Sequence, residues 1–229
     1  QVDTGQAIAA DLHSHCTRSA DSEFRIDDKI ASNICEGVEL LVITDHDCQT
    51  DYTPFIEQMR ERLSFDPDVW IRTVTGNEVS PLYAHMTAFP LPVHPTGWNY
   101  WDIPWTLYQD GAFVRNLEFP ELWQRARELG ARIINVAHPL ESSGYFNYLG
   151  FDPPGEMPRL EDLPADKYGT GFDTIELLNS GDVDEMLERI VPLWCALNNQ
   201  GVFRTAVGVS DSHGRTSEAG FGRTMVTVA

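Results

Sequence analysis

Five short apolar, β-branched runs, each ending in polar or ionisable residues, constrain this chain more than any other feature. Residues 40–43 run into Thr44-Asp45-His46-Asp47, and residues 69–74 lead to Gly76-Asn77-Glu78-Val79-Ser80. Residues 133–137 end at His138-Pro139, residues 172–178 at Asn179-Ser180, and residues 206–209 at Ser210-Asp211-Ser212-His213. Continuously apolar runs of this length read as strands buried on both faces, which a parallel sheet requires.

Helical spacing separates them. Ile30, Ile34 and Val38 fall four apart behind Asp27-Asp28, which reads as an N-terminal cap, and Gly37 closes the helix. Residues 54–63 and 120–130 follow similar rules; Leu122, Trp123, Ala126 and Leu129 share a face that Gly130 stops. Met186, Leu187, Ile190, Val191, Trp194 and Leu197 make a broad stripe in which Pro192 predicts a kink. Alternating strand and helix predicts an α/β fold with mainly parallel strands. Two segments break the rhythm: residues 90–118, with Trp98, Trp101 and Trp105, and residues 140–171. Both are too long for ordinary loops, so they read as lids, pocket walls or packed excursions.

With no linker or repeat, the chain reads as one domain over 1–229, cut from a longer parent. The 16 basic residues against 35 acidic ones leave a formal charge of −19. Such a charge predicts repulsion from phosphate backbones, so no duplex nucleic acid and no anionic membrane are expected as partners. A small-molecule substrate is expected instead. No run approaches the roughly 18 apolar residues of a membrane span. Cys16, Cys35, Cys48 and Cys195 form no Cys-x-x-Cys pair and read as free thiols. The chain reads as soluble, its compartment open between the cytoplasm and a secreted or periplasmic product freed of its leader. The oligomeric state is not encoded in any of these features.

Six of the seven histidines stand at or just beyond the ends of the apolar runs. In extended backbone, residues i and i+2 face the same way, so His13 and His15 can converge on one cation, with Asp11 behind them to orient a ligand. Asp45-His46-Asp47, Glu78 with His85, His138 and Asp211-Ser212-His213 complete the set. Parallel-strand barrels bring the C-terminal ends of all strands to one rim, where such residues can meet. Imidazole and carboxylate without thiolate suit zinc, manganese or iron. His94 lacks such a setting, and Cys16 and Cys48 are expected to point away.

These residues resemble the PHP (polymerase and histidinol phosphatase) superfamily, and within it the carbaryl-hydrolase-like CehA/McbA branch. The resemblance rests on Asp11-Leu-His-Ser-His15, the run from Glu36 to Asp47, Gly76-Asn-Glu-Val-Ser80 with Ala84 to Phe89, Asn135-Val-Ala-His-Pro139, the segment from Gly144 to Asp152, and Gly208-Val-Ser-Asp-Ser-His213. It implies a distorted (β/α)7 barrel with its metal site at the C-terminal rim. It also implies two or three divalent ions. His13, His15, Glu78 and Asp211 would hold the first, and Glu78 would bridge to a second completed by His85 and His138. His46 and His213 match a third site, where Asp21 stands at a position often held by histidine.

Two cations about 3.5–4 Å apart can share a water and lower its pKa toward neutrality. Asp211 or Asp45 would take its proton. Arg18 and Arg215 flank ligand motifs and would hold an anionic substrate; Asn179 would donate a hydrogen bond in the pocket. A phosphoesterase is the first reading. The alternatives are hydrolysis of a carboxylic ester, amide or carbamate, and a noncatalytic module with structural metals. Structural zinc usually fills its coordination with four protein ligands, which the second and third sites do not offer.

Overall fold

The apolar runs become strands where the patterning predicts them. The structure, a computed structural model, describes residues 6–63, 65–214 and 219–227. One sheet runs β1 (Ala7–Asp11), β2 (Leu40–Ile43) and β4 (Arg72–Thr75) in parallel, with β13 (Thr224–Thr227) antiparallel on the outer side of β1. A second sheet is ordered β12 (Thr205–Val209), β11 (Thr174–Asn179), β10 (Ile133–Val136), β6 (Met86–Phe89) and β5 (Asn77–Val79). Its first three strands are parallel and its last two antiparallel. Four of the seven pairings in these two sheets are therefore parallel.

The expected distorted (β/α)7 barrel is not seen: the strands form a mixed α/β fold of two open sheets, with no closed barrel among the described residues. Single bridges join the sheets at the strand ends: Ser14 pairs with Ser212, and His46 with Glu78. Between the sheets, Ala10, Leu12 and Val42 pack with Phe89, Val207 and Val209. The chain crosses from one sheet to the other at Gly76. A Cβ there would stand 2.9 Å from the Ile43 carbonyl oxygen and 3.0 Å from that of Ala88, so only glycine lets the two sheets approach.

The helices α1 (Ile26–Cys35), α2 (Thr53–Leu63) and α3 (Phe119–Leu129) lie where periodicity places them. Asp27 and Asp28 are not the cap of α1. They occupy its first turn, where a carboxylate favours the positive end of the helix dipole, and Arg25 is the capping position. On α3, Phe119, Leu122, Trp123 and Ala126 are buried, and Gly130 terminates the helix at φ 113°. Residues 140–171 prove to be a packed excursion. Its short helix α4 (Tyr145–Tyr148) buries Tyr145 and Phe146 against Phe119, Trp123, Phe151 and Phe172, with ring centroids 4.5–6.5 Å apart.

The irregularity expected at Pro192 lies just before it. Residues Met186–Ile190 wind as a π-helix between α5 (Val183–Glu185) and α6 (Val191–Asn199). Proline lacks a backbone donor and its ring crowds the carbonyl four residues back, which the wider turn accommodates. The remaining strands form two ribbons: β3 (Cys48–Thr50) with β7 (Trp98–Tyr100), and β8 (Thr106–Gln109) with β9 (Ala112–Asn116). All four cysteines are free. No helix among the described residues is long and apolar enough to cross a membrane.

Candidate metal centre

The strand ends deliver imidazoles and carboxylates to one point. His13 and His15 follow β1, His46 follows β2, Glu78 sits in β5, His85 precedes β6, His138 follows β10, and Asp211 and His213 follow β12. His13 Nε2 lies 3.0 Å from His15 Nε2. Glu78 Oε2 lies 3.4 Å from the former and 3.3 Å from the latter. Asp211 Oδ1 lies at 3.3 and 3.1 Å.

The rest of each ring fixes what faces inward. His13 Nδ1 donates to Glu176 Oε1 at 2.8 Å. Ser19 gives its one hydroxyl proton to Asp45 Oδ1 at 3.0 Å, so His15 Nδ1 is the donor in its 2.8 Å contact with Ser19 Oγ. With Nδ1 the donor in each ring, both Nε2 atoms face inward, 3.0 Å apart. Buried beside them, Asp211 Oδ1 has no hydrogen-bond partner, and Glu78 Oε2 has His46 Nδ1 at 2.8 Å. Burial keeps His15 neutral, whereas at His13 burial is outweighed by Asp211, Glu78 and Glu176, which raise its pKa well above the usual value, so the buried carboxylates draw positive charge to this point, from a proton on His13 or from a cation in its place. Five separations among these four atoms, 3.0–3.4 Å, are close to the ligand–ligand distances of about 3.3–3.4 Å around a cation with bonds of about 2.0–2.1 Å. The donor set thus fits a divalent metal.

Glu78 turns its other oxygen to a second group: Oε1 is 3.1 Å from His85 Nδ1 and 3.1 Å from His138 Nε2. A third group lies on the more open side. His46 Nε2 and His213 Nε2 are 3.5 Å apart, and Asp21 Oδ2 is 3.2 and 3.5 Å from them. His46 Nδ1 lies 2.7 Å from Ser80 Oγ and 2.8 Å from Glu78 Oε2, so this ring also reaches the first group, whereas His213 Nδ1 is turned to the Asp211 carbonyl at 2.8 Å.

The local field favours positive charge. Burial opposes protonation of His46, yet neighbouring Glu78 and Asp21 push its pKa up to about 9. At His138 burial is likewise outweighed by Glu78 and Asp211, and the value is again about 9. Burial also opposes ionisation of Glu78 and Asp211, but the histidines around them hold both carboxyls well below the usual range. For His15 burial prevails and lowers the pKa to about 4.

Other residues singled out in the sequence have different settings. Asp45 is buried and saturated: Cys16 N at 2.7 Å and Ser19 Oγ at 3.0 Å reach Oδ1, Thr50 Oγ1 at 2.6 Å and Cys16 Sγ at 3.1 Å reach Oδ2. With four donors in place it has no room for a water's proton, and it braces the loops that carry His15 and His46. Asn179 spends its amide group on Glu176 Oε2 at 2.9 Å and Asp211 Oδ2 at 3.1 Å, so it orients two carboxylates instead of meeting a substrate. Asp11 holds Ser210, through its N at 3.0 Å and its Oγ at 2.5 Å, and supports no imidazole ring. Arg18 lies against Trp98, with its guanidinium carbon 4.8 Å from the ring centroid. Arg215 lies outside the described residues.

Two participants escape a reading of the sequence. Glu176, fully buried in β11, accepts from His13 Nδ1, Asn135 Nδ2, the His138 amide and Asn179 Nδ2. A carboxylate inside an otherwise apolar strand was its signal. Lys29, fully buried in α1, donates to the Ser212 carbonyl at 2.7 Å and to the Ser212 hydroxyl, between Asp211 and His213.

No protein-family model matches this chain, and no curated protein does. Solved structures do share its fold. One is a two-domain protein from Bacteroides vulgatus containing a predicted PHP-like metal-dependent phosphoesterase: 17% identity, TM-score 0.52, over 91% of this chain and 52% of that one. Another is endonuclease Q in complex with a 27-mer duplex bearing an abasic lesion: 17% identity, TM-score 0.50, over 91% of this chain and 49% of that one. A third is an amidohydrolase from Chromobacterium violaceum with bound sulfate: 14% identity, TM-score 0.53, over 96% of this chain and 92% of that one. The chain spans about half the length of the first two. At such identities the likeness shows the fold. It also corrects one expectation, because a protein of this fold holds duplex DNA. Net charge summed over a whole chain does not describe the field at a metal centre, where bound cations are the largest local charges.

Proposed function

We propose that this chain is a PHP-type metal-dependent hydrolase, acting first of all as a phosphoesterase on a small substrate. The observation that carries this reading is the convergence of His13 Nε2, His15 Nε2, Glu78 Oε2 and Asp211 Oδ1, in which each ring nitrogen lies 3.0–3.4 Å from the other and from both carboxylate oxygens. His13, His15, Glu78 and Asp211 would hold one divalent ion, Glu78, His85 and His138 a second, and Asp21, His46 and His213 a third. Zinc, manganese and iron all suit these donors. Bound there, such ions supply Lewis acidity and a water of lowered pKa.

The chain's own residues do the rest. Glu78 would serve both neighbouring groups, with Oε2 toward His13 and His15 and Oε1 toward His85 and His138. Glu176 and Asn179 hold His13 and Asp211 in their orientations. Asp211, whose Oδ2 is reached by Asn179, would be the carboxylate that accepts a proton, since Asp45 already accepts from four donors. Arg18 meets the charge of an anionic substrate in a chain that otherwise repels it. A carbonyl ester, amide or carbamate hydrolase at the same centre is the second reading, supported by the amidohydrolase fold neighbour that aligns over nearly its full length.

The test is hydrolysis of nitrophenyl phosphate, bis(nitrophenyl) phosphate and nitrophenyl acetate by manganese-loaded protein, with His138→Ala as the control. Turnover of the phosphates that vanishes in the variant is the expected result. Mutant-sensitive turnover of the acetate alone would replace the first reading by the second, and no turnover with full metal occupancy would remove both.

A further inference from the structure

With 35 acidic side chains against 16 basic ones, an arginine left without a partner is one the fold holds away from carboxylates. Most are partnered. Arg60, Arg72, Arg115, Arg127, Arg159 and Arg189 each reach an aspartate or glutamate, and Arg125, Arg204 and Arg223 reach backbone carbonyls. Among the described arginines, Arg18, Arg62 and Arg132 form no hydrogen bond or ion pair through the side chain. Two of these three line one groove.

A cavity of about 350 Å³ where α1 and α2 begin is lined by Thr17, Arg18, Arg25, Asp27 and Phe55, a volume within the range of small-molecule pockets. A smaller one of about 80 Å³ is lined by Arg25, Asp27, Phe55, Gln58 and Arg62. Arg25, Asp27 and Phe55 face both, so the two are parts of one groove, each with an arginine of its own and a third shared. Asp27 is the one carboxylate in either lining, against three guanidiniums. None of the residues proposed above to hold an ion lines either part.

The guanidiniums keep donors to spare. Arg18 gives Trp98 the face of its guanidinium, which leaves the N–H groups around the edge unspent. Arg25 places Nε and Nη2 each 3.1 Å from an Asp27 oxygen, and this pairing holds the fork while Nη1 keeps no partner. The positive end of α1 meets the same space, and Arg25 at its capping position offers no acceptor to the first turn. Like charges gathered around one opening repel one another, and an anion placed among them removes that cost.

We propose that this groove is a second binding site, separate from the metal centre, for a small molecule carrying two or more phosphate or carboxylate groups. Planar guanidinium forks match either group in bidentate fashion. Two anionic groups on one molecule suit a groove whose two parts each hold an arginine and share another. Arg18, which the hydrolase reading gives to the substrate, also stands here, so Arg25 and Arg62 carry the test.

Calorimetric titration of the manganese-loaded protein with ethane-1,2-diphosphonate and with succinate, each set against its one-headed counterpart, methylphosphonate or acetate, provides that test. At least one two-headed anion should bind about tenfold more tightly than its counterpart, and the better of the two names the groups the groove takes. The double variant Arg25→Gln/Arg62→Gln should lose this advantage while keeping a cooperative thermal transition. Arg62→Gln alone, which breaks no contact of the folded chain, should lose about threefold and decides the matter if the double variant does not fold. His138→Ala should bind as the wild type does. Absence of binding, equal binding of one- and two-headed anions, or an advantage that survives the arginine substitutions would overturn the site. So would an advantage that His138→Ala abolishes, because the anion would then sit at the metal centre.

Discussion

His13 Nδ1 and Glu176 Oε1, 163 residues apart, meet at 2.8 Å with both side chains fully buried. The carboxylate fixes the ring so that Nε2, and not Nδ1, faces the cluster of candidate ligands. It does this while accepting three further donors, so its negative charge and both its oxygens are in use.

Glu176→Gln keeps the shape but turns an amide group toward donors it cannot accept from. Metal affinity should fall 10- to 100-fold, the usual cost of losing a partner behind a ligand. Calorimetric titration with manganese reads this directly, and unchanged affinity would detach Glu176 from the centre.

Chelation should lower thermal stability. An ion present at about a thousand times its Kd stabilises the fold by about 4 kcal/mol. At about 2–4 °C per kcal/mol for a chain of this size, a chelator should lower the Tm by about 10 °C, and manganese should restore it. Differential scanning fluorimetry checks this; a Tm indifferent to chelator would show that no bound ion contributes to the stability of this cluster.

Most of the candidate centre was legible because its residues sit where apolar runs stop. His46, His138 and Asp211 each follow a strand whose identity the β-branched runs make plain. What sits inside a run was not legible. Glu176 reads as an interruption of a strand, and Lys29 as a solvent-facing residue on a helix, because local patterning carries no record of which buried polar groups find partners from distant segments. The partners of Asn179 and Asp45 were not legible for the same reason: a residue's place at a strand end says that it reaches the rim, and only its partners say whether it has a donor or acceptor to spare. The sheets followed a similar rule. Strands were visible, but the antiparallel returns of β6 and β13 depend on long-range pairing, and so the closed barrel did not follow.

Lys29 gives a pH-dependent stability of known sign. Burial lowers its pKa from 10.5 to about 8, against the opposing charges of Asp11 and Asp45. Below that value the lysine is charged in both folded and unfolded chains, and the full cost of burying the charge is present. Between the folded value and 10.5 the unfolded chain binds more protons, so stability rises with pH. Relative to Lys29→Met, the wild type should gain about 3 kcal/mol across this window. Urea unfolding of both proteins in chelator, at steps from pH 7 to 10.5, measures the difference, and a flat difference would refute it.

Asn179 separates orientation from substrate binding. If its amide group serves Glu176 and Asp211, Asn179→Ala should lower kcat on bis(nitrophenyl) phosphate about tenfold with little change in KM. A raised KM at constant kcat would instead return Asn179 to the substrate.

Asp21 tests the third group of ligands with little risk to the fold, because its side chain is 57% exposed and lies against His46 and His213. The two neighbouring groups do not use it: His13, His15, Glu78 and Asp211 close around one point, and Glu78 Oε1 faces His85 and His138. Asp21→Ala should therefore remove one ion of three and retain two, read by elemental analysis after desalting. The loss should be selective, since the buried ligands keep every partner they have in the wild type. Retention of all three ions would show that His46 and His213 hold their ion without Asp21. Loss of more than one would show that the exposed side of the centre organises the buried side, the reverse of the order that burial and hydrogen bonding indicate.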